Sequence, residues 1–214
     1  MRDINKNKEF TILKKSETDK IKVFVSGGGG FVSKDFYKDA YEVGRLLAKL
    51  NTAYGQGGQT DKKTIMGESY FGYKENGGSS VVVFAREEHQ DDMKSEFDNY
   101  EGAYLVDGVS GLVKIQYFWS DITVFMPGGT GTLTELICYM EQCLDYPFSP
   151  KIILYNKDLG STKFFDSFKE QIEIMVKNNF ISRNVYESFV EVNDLKSLKK
   201  EIKLAVKELS KIKA

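Results

Sequence analysis

The chain has 214 residues, with 30 lysines and arginines against 31 aspartates and glutamates, a formal net charge of −1. That balance supplies no basic field for non-specific nucleic-acid binding, and 41% hydrophobic with 29% charged residues fits one globular domain with a substantial core. No apolar run approaches the ~20 residues of a membrane span, and a lone histidine, His89, nearly excludes a zinc site, a Ser–His–Asp triad or a Cys–His pair.

Residues 1–20 are lysine-rich and aperiodic apart from Phe10-Thr11-Ile12-Leu13, and read as an N-terminal arm; the domain proper runs from 21 to 214. The start of the chain has no apolar signal core, so a cytoplasmic location is expected. Ile21–Val25 reads as the first strand, running into Ser26-Gly27-Gly28-Gly29-Gly30. Phe36, Ala40, Val43, Leu47 and Leu50 then recur at three and four residues, one face of a helix, with Ser33 as its N-cap. Thr52–Gly55 forms a second strand that leads into the Gln56-Gly57-Gly58 turn. A helix then begins within Thr60–Ser69 and ends at Asn76-Gly77-Gly78.

Ser80–Ala85 is the third strand, placed centrally by its β-branched run. Arg86 to Tyr100 is strongly acidic and contains His89 in a charged run. It reads as a solvated loop or short helix, or else as a lid over the strand ends with Arg86 placed to reach an anion. Ala103–Val106 is the fourth strand and Ser110–Trp119 the helix after it.

The informative stretch is Asp121 to Met140. Its apolar residues up to Met126 suit a buried parallel strand, Pro127 ends the ladder, and Gly128, Gly129 and Gly131 allow a sharp turn. Leu133, Leu136, Ile137 and Met140 then mark a helix face. Strand, glycine turn and helix start together aim free N–H groups and a helix dipole at an anion, and a phosphate is the natural guest. No Gly-Lys-Ser/Thr follows, so this is no Walker A loop, nor is it a G-x-G-x-x-G fingerprint. Cys138 and Cys143 lie five apart on this helix and point to different faces, so no disulfide is expected.

Lys151–Tyr155 is the sixth strand. Phe164, Phe165, Phe168, Ile172 and Met175 mark a helix, Ser188–Val192 the last strand, and Asp194 caps a lysine-rich terminal helix. Seven strands alternating with helices predict an α/β fold, a Rossmann-like doubly wound parallel sheet with helices on both faces. The turns after Val25, Gln56 and Met126 all open at the carboxyl edge of that sheet, where such folds bind ligands.

Pro127-Gly128-Gly129-Thr130-Gly131-Thr132-Leu133-Thr134-Glu135 resembles the P-G-G-x-G-T-x-x-E signature of the LOG (Lonely Guy) family, whose members often carry an older "lysine decarboxylase" label. The resemblance extends from about Ile21 to Ile202 in element order. It implies a cytokinin riboside 5′-monophosphate phosphoribohydrolase-like activity: hydrolysis of the N-glycosidic bond of an AMP-like nucleoside 5′-monophosphate, without cofactor or metal. On that reading Gly128, Gly129, Thr130, Gly131 and Thr132 seat the phosphate, helped by Ser26, Gly27, Gly57, Gly58 and Arg86. Glu135 is the catalytic carboxylate facing the developing positive charge on the ribose.

The family's Arg-Lys pair falls on Leu112 and Val113 here, leaving Lys114 as the one cation on that helix and the candidate substitute. Thr132-Leu133-Thr134-Glu135 also fits a capping box, in which Glu135 bonds back to the N-cap amide, and both roles stay open. A nucleotide sensor that has lost catalysis is the alternative. The old label points to a pyridoxal-phosphate decarboxylase, but no Schiff-base lysine is marked. Cys138, Tyr139, Met140 and Cys143 surround much of the motif helix, and family members pair through helices near the site, so a homodimer is expected.

Overall fold

A computed structural model describes residues 10–14, 16, 18–30, 33–58, 60–86, 100–145 and 149–213. Residues 1–9 of the expected arm, and residues 87–99 with His89 and the expected lid, lie outside the described residues. Eight strands form one sheet: β1 (Phe10–Lys14), β2 (Lys22–Ser26), β3 (Ala53–Gln56), β4 (Val81–Arg86), β5 (Gly102–Val106), β6 (Ile122–Phe125), β7 (Lys151–Tyr155) and β8 (Phe189–Val192). Their order is β1-β5-β4-β3-β2-β6-β7-β8. The seven strands from β2 to β8 pair in parallel, and β1 alone runs antiparallel, with Phe10 facing Val106. Part of the stretch read as an arm is thus an edge strand. The Phe10-Thr11-Ile12-Leu13 segment was visible in the sequence, but its distant partner was not.

The helices are α1 (Lys34–Lys49), α2 (Ile65–Glu75), α3 (Gly108–Trp119), α4 (Thr130–Asp145), α5 (Asp166–Lys177), the short α6 (Arg183–Glu187) and α7 (Leu195–Lys213). One face of the sheet is covered by α1, α2 and α7 through Ala40, Val43, Leu47, Tyr73, Leu198 and Ile202. On the other face Ile115 and Trp119 of α3 meet Phe24 and Phe84, while Val113 and Tyr117 join Phe125, Leu136 and Tyr139. Covered on both faces, the inner strands are predominantly apolar, which is why they read as runs rather than alternations. No helix among the described residues is long and apolar enough to cross a membrane.

Helix ends follow from local chemistry, with one departure from expectation. Asp194 does cap α7, its Oδ1 accepting from the Ser197 amide at 2.8 Å. Ser33 has the extended backbone of an N-cap, but its hydroxyl makes no capping bond. The helix after β3 begins at Ile65, within the expected Thr60–Ser69 stretch, because Thr64 is its cap: Thr64 Oγ1 accepts from the Gly67 amide at 3.0 Å and donates to the Asp61 carbonyl at 2.7 Å. Chain direction in the sheet reverses its winding between β2 and β6. From β2 the sheet grows through β3, β4 and β5 one way and through β6, β7 and β8 the other. The carboxyl ends of β2 and β6 therefore flank the switch point at which open α/β sheets leave a crevice.

Candidate functional site

A cleft of about 1040 Å³ opens at that switch point. Its walls come from four loops that follow parallel strands: 27–30 after β2, Gly57, Gly58, Thr60 and Asp61 after β3, 127–132 after β6, and Phe164 after β7. Arg86 at the end of β4, Tyr100, and Leu112 of α3 also line it, as do Phe36 of α1 and Met66 of α2.

The central loops are locked together by backbone contacts. The Met126 amide donates to the Ser26 carbonyl at 2.9 Å, the Gly28 amide to the Pro127 carbonyl at 3.1 Å, and the Ile65 amide to the Gly28 carbonyl at 2.9 Å. So close an approach needs glycine. A Cβ on Gly128 would lie 2.1 Å from Thr132 Oγ1 and 2.7 Å from the Gly28 nitrogen. Gly129 and Gly131 differ, having nothing within 4 Å of a Cβ position and no positive φ, so neither is forced by sterics within the chain. They leave the mouth of the turn bare. Gly58 takes φ of +86°, a left-handed turn whose amide donates to Gln56 Oε1 at 3.1 Å.

Helix α4 opens into this cleft at Thr130, two residues earlier than the sequence pattern places it. The Leu133 amide reaches the Gly129 carbonyl at 3.2 Å, which leaves the amides of the first turn, Thr130 to Thr132, without intrahelical acceptors. No acidic residue occupies that turn. Free donors and the positive end of a 16-residue helix face the same space.

One turn further in, Glu135 lines the cleft. Its carboxylate Oε2 accepts a short hydrogen bond from the Ser26 hydroxyl at the end of β2. The capping-box alternative is thereby set aside, because the carboxylate spans to another strand instead of bonding back to Thr132. Burial raises the carboxyl pKa above its usual 4.5, opposed by the Ser26 hydroxyl and by the Gln116 side-chain amide nearby. Gln116 is fully buried on α3, yet neither its Nε2 nor its Oε1 has a hydrogen bond of ordinary geometry. The sequence reading missed this residue. A polar side chain on a helix whose other inward positions are apolar was the signal available.

Of the residues expected at the site, Gly27, Gly57, Gly58, Arg86, Gly128, Gly129, Thr130, Gly131, Thr132 and Glu135 line this cleft, and Ser26 touches it through Glu135. Lys114 is not brought there. It lies two residues beyond Leu112, which does line the cleft, and two residues turn the side chain roughly 200° around a helix. The positions of the family's Arg-Lys pair are therefore filled by Leu112 at the wall and by Val113, buried in the core.

Solved structures of the same fold include the molybdenum cofactor carrier protein of Chlamydomonas reinhardtii, at 17% identity and a TM-score of 0.61 over 87% of this chain and 98% of that one. The molybdenum cofactor binding protein of Rippkaea orientalis matches at 18% identity and a TM-score of 0.61, over 87% and 98%. DNA processing protein A of Helicobacter pylori matches at 9% identity and a TM-score of 0.60, over 91% and 86%. At these identities the likeness is one of fold. No curated protein sequence matches the chain. A family described as "possible lysine decarboxylase" matches residues 82–202, more than half of the sequence and including the whole Pro127–Glu135 motif, so the chain belongs to this LOG-like family.

Proposed function

We infer that the chain binds an AMP-like nucleoside 5′-monophosphate in this cleft and hydrolyses its N-glycosidic bond to free base and ribose 5-phosphate. The observation that carries this reading is the Glu135 carboxylate at the cleft wall, fixed by Ser26 and one helical turn behind backbone donors that have no intrahelical acceptors. The 5′-phosphate sits on the amides of Gly129 to Thr132, with Arg86 as the cation across the cleft. The ribose then lies against Glu135, whose negative charge stabilises the oxocarbenium-like sugar as the bond to the base breaks. Water adds its oxygen to the anomeric carbon, and its proton leaves with the base. No cofactor enters this scheme.

The test is purified protein incubated with AMP, N6-substituted AMP and other monophosphates, with free base and ribose 5-phosphate quantified. Base release that falls on the order of 10²-fold or more in Glu135→Gln is expected. Neither release nor binding of any monophosphate would overturn the reading.

A second reading has its own observation. Leu112 puts an apolar side chain at the wall where the family's arginine falls, removing a bidentate anion and leaving-group contact. Binding without turnover, as a nucleotide sensor or small-molecule carrier, follows if that contact is indispensable. Two proteins of this fold are named for carrying or binding the molybdenum cofactor, which lends the carrier form some weight. Calorimetric binding of a monophosphate with no base released selects this reading.

A further inference from the structure

On α3, Ile115 and Trp119 pack into the cluster around Phe24 and Phe84, while Val113 and Tyr117 pack into the cluster around Phe125 and Tyr139. Gln116 falls between these two groups on the helix, one turn inward from Leu112 at the cleft wall. The strands beneath that dividing line are β2 and β6. Ser26 ends β2, lies beside Phe125 in the register, and gives its hydroxyl to Glu135 Oε2. An amide buried without partners is costly, and an apolar residue of the same size fits such a position without that cost. The charged acceptor that this orphaned amide neighbours is the Glu135 carboxylate.

We propose that Gln116 is a positioning residue for Glu135: its side-chain amide serves the carboxylate oxygen that Ser26 leaves unbonded. The inference rests on Glu135 as the reacting carboxylate. Two neutral donors, one from β2 and one from α3, then hold the group ionised and fix its plane at the cleft wall. The same-element neighbours Cys138 and Tyr139 are both kept neutral by burial, and Arg86 lines the cleft beyond Glu135. The amide is thus a neutral partner offered from the α3 side. In the substrate complex the donor matters most, because a carboxylate that turned to meet the Ser26 hydroxyl alone would be free to swing out of line with the sugar.

The test reads the carboxyl group directly and needs no turnover. With glutamate labelled at the carboxyl carbon, the Glu135 resonance, assigned by its loss in Glu135→Gln, is followed against pH in wild type, Gln116→Met and Gln116→Leu. Loss of a hydrogen bond to a charged group corresponds to an upward move of about one pH unit or more in the midpoint. A midpoint unchanged in a folded variant overturns the proposal. Should both variants fail to fold, the Gln116 side-chain NH2 resonances of the wild type decide. They move with the Glu135 titration and lose that movement in Glu135→Gln if the proposal holds, and stay fixed if it does not. If no monophosphate is hydrolysed but the titrations couple as expected, the enzyme reading fails and this pairing stands. Where turnover exists, the acid limb of the kcat/KM profile moves with the same midpoint.

Discussion

Glu135 sets three expectations at the scale of single side chains. Glu135→Gln keeps the shape and the partner of Ser26 but removes the charge, so base release should fall on the order of 10²-fold or more while affinity for the monophosphate changes little. Burial raises this carboxyl group's pKa above 4.5, so the charged form is reached later on the way up from acid. Activity should therefore fade at a higher pH than an ordinary glutamate would impose, as a pH–rate profile will show. Stability follows the opposite sense. With a folded-state pKa above the unfolded one, the group's contribution is full below about 4.5 and is lost as pH rises through the folded value. Thermal melts of Glu135→Gln should match wild type near pH 4 and equal or exceed it at pH 7. Gly128→Ala belongs here too. Its Cβ meets backbone of a second loop as well as Thr132, so melting should fall and anion binding should weaken together.

At the scale of elements, α1 and α2 touch through glycines. A Cβ on Gly44 would lie 1.8 Å from the Ser69 carbonyl oxygen, and one on Gly72 2.0 Å from that of Tyr41. Backbone cannot step aside as a side chain can, so Gly44→Ala should cost about 1–3 kcal/mol in denaturant melts. A cost within error of zero would mean the helices separate freely. Nothing in the sequence marks these glycines, which read only as weak helix formers. The strands, by contrast, were legible from apolar runs, and the cleft's central turn from Pro127 and the glycines that follow. Ser26 and Glu135 were both picked out, but only the sheet order brings a strand end and a helix wall into hydrogen-bond contact. The bond depends on a pairing between β2 and β6 that local pattern does not encode. Lys114 and Gln116 show the same limit. Sequence proximity favoured the lysine, whereas helical rotation selects Leu112 and Gln116.

At the scale of the molecule, we propose that a homodimer pairs through α3 and α4. Ile137 is 53% exposed on α4 and Val109 41% exposed on α3, on the pair of helices that flank the cleft. Light scattering at micromolar concentration should give twice the 24.3 kDa of one chain, and Ile137→Lys should shift it toward the single-chain mass. A wild-type mass of one chain would end the proposal. A dimer through these helices would set two clefts near one another without altering either.

The edge strand β1 has a consequence for how the protein is made. Synthesis delivers Phe10–Lys14 first, yet the strand it must join, β5, leaves the ribosome only after β2, β3 and β4 have emerged. Until then its backbone donors and acceptors are satisfied by water alone. The antiparallel seam is thus a late closure over an already growing parallel sheet, and it hides the N–H and C=O row that β5 would otherwise offer to a neighbouring chain. A chain begun after Lys14 would keep its cleft and expose that row, trading nothing in the site for a tendency to associate edge to edge.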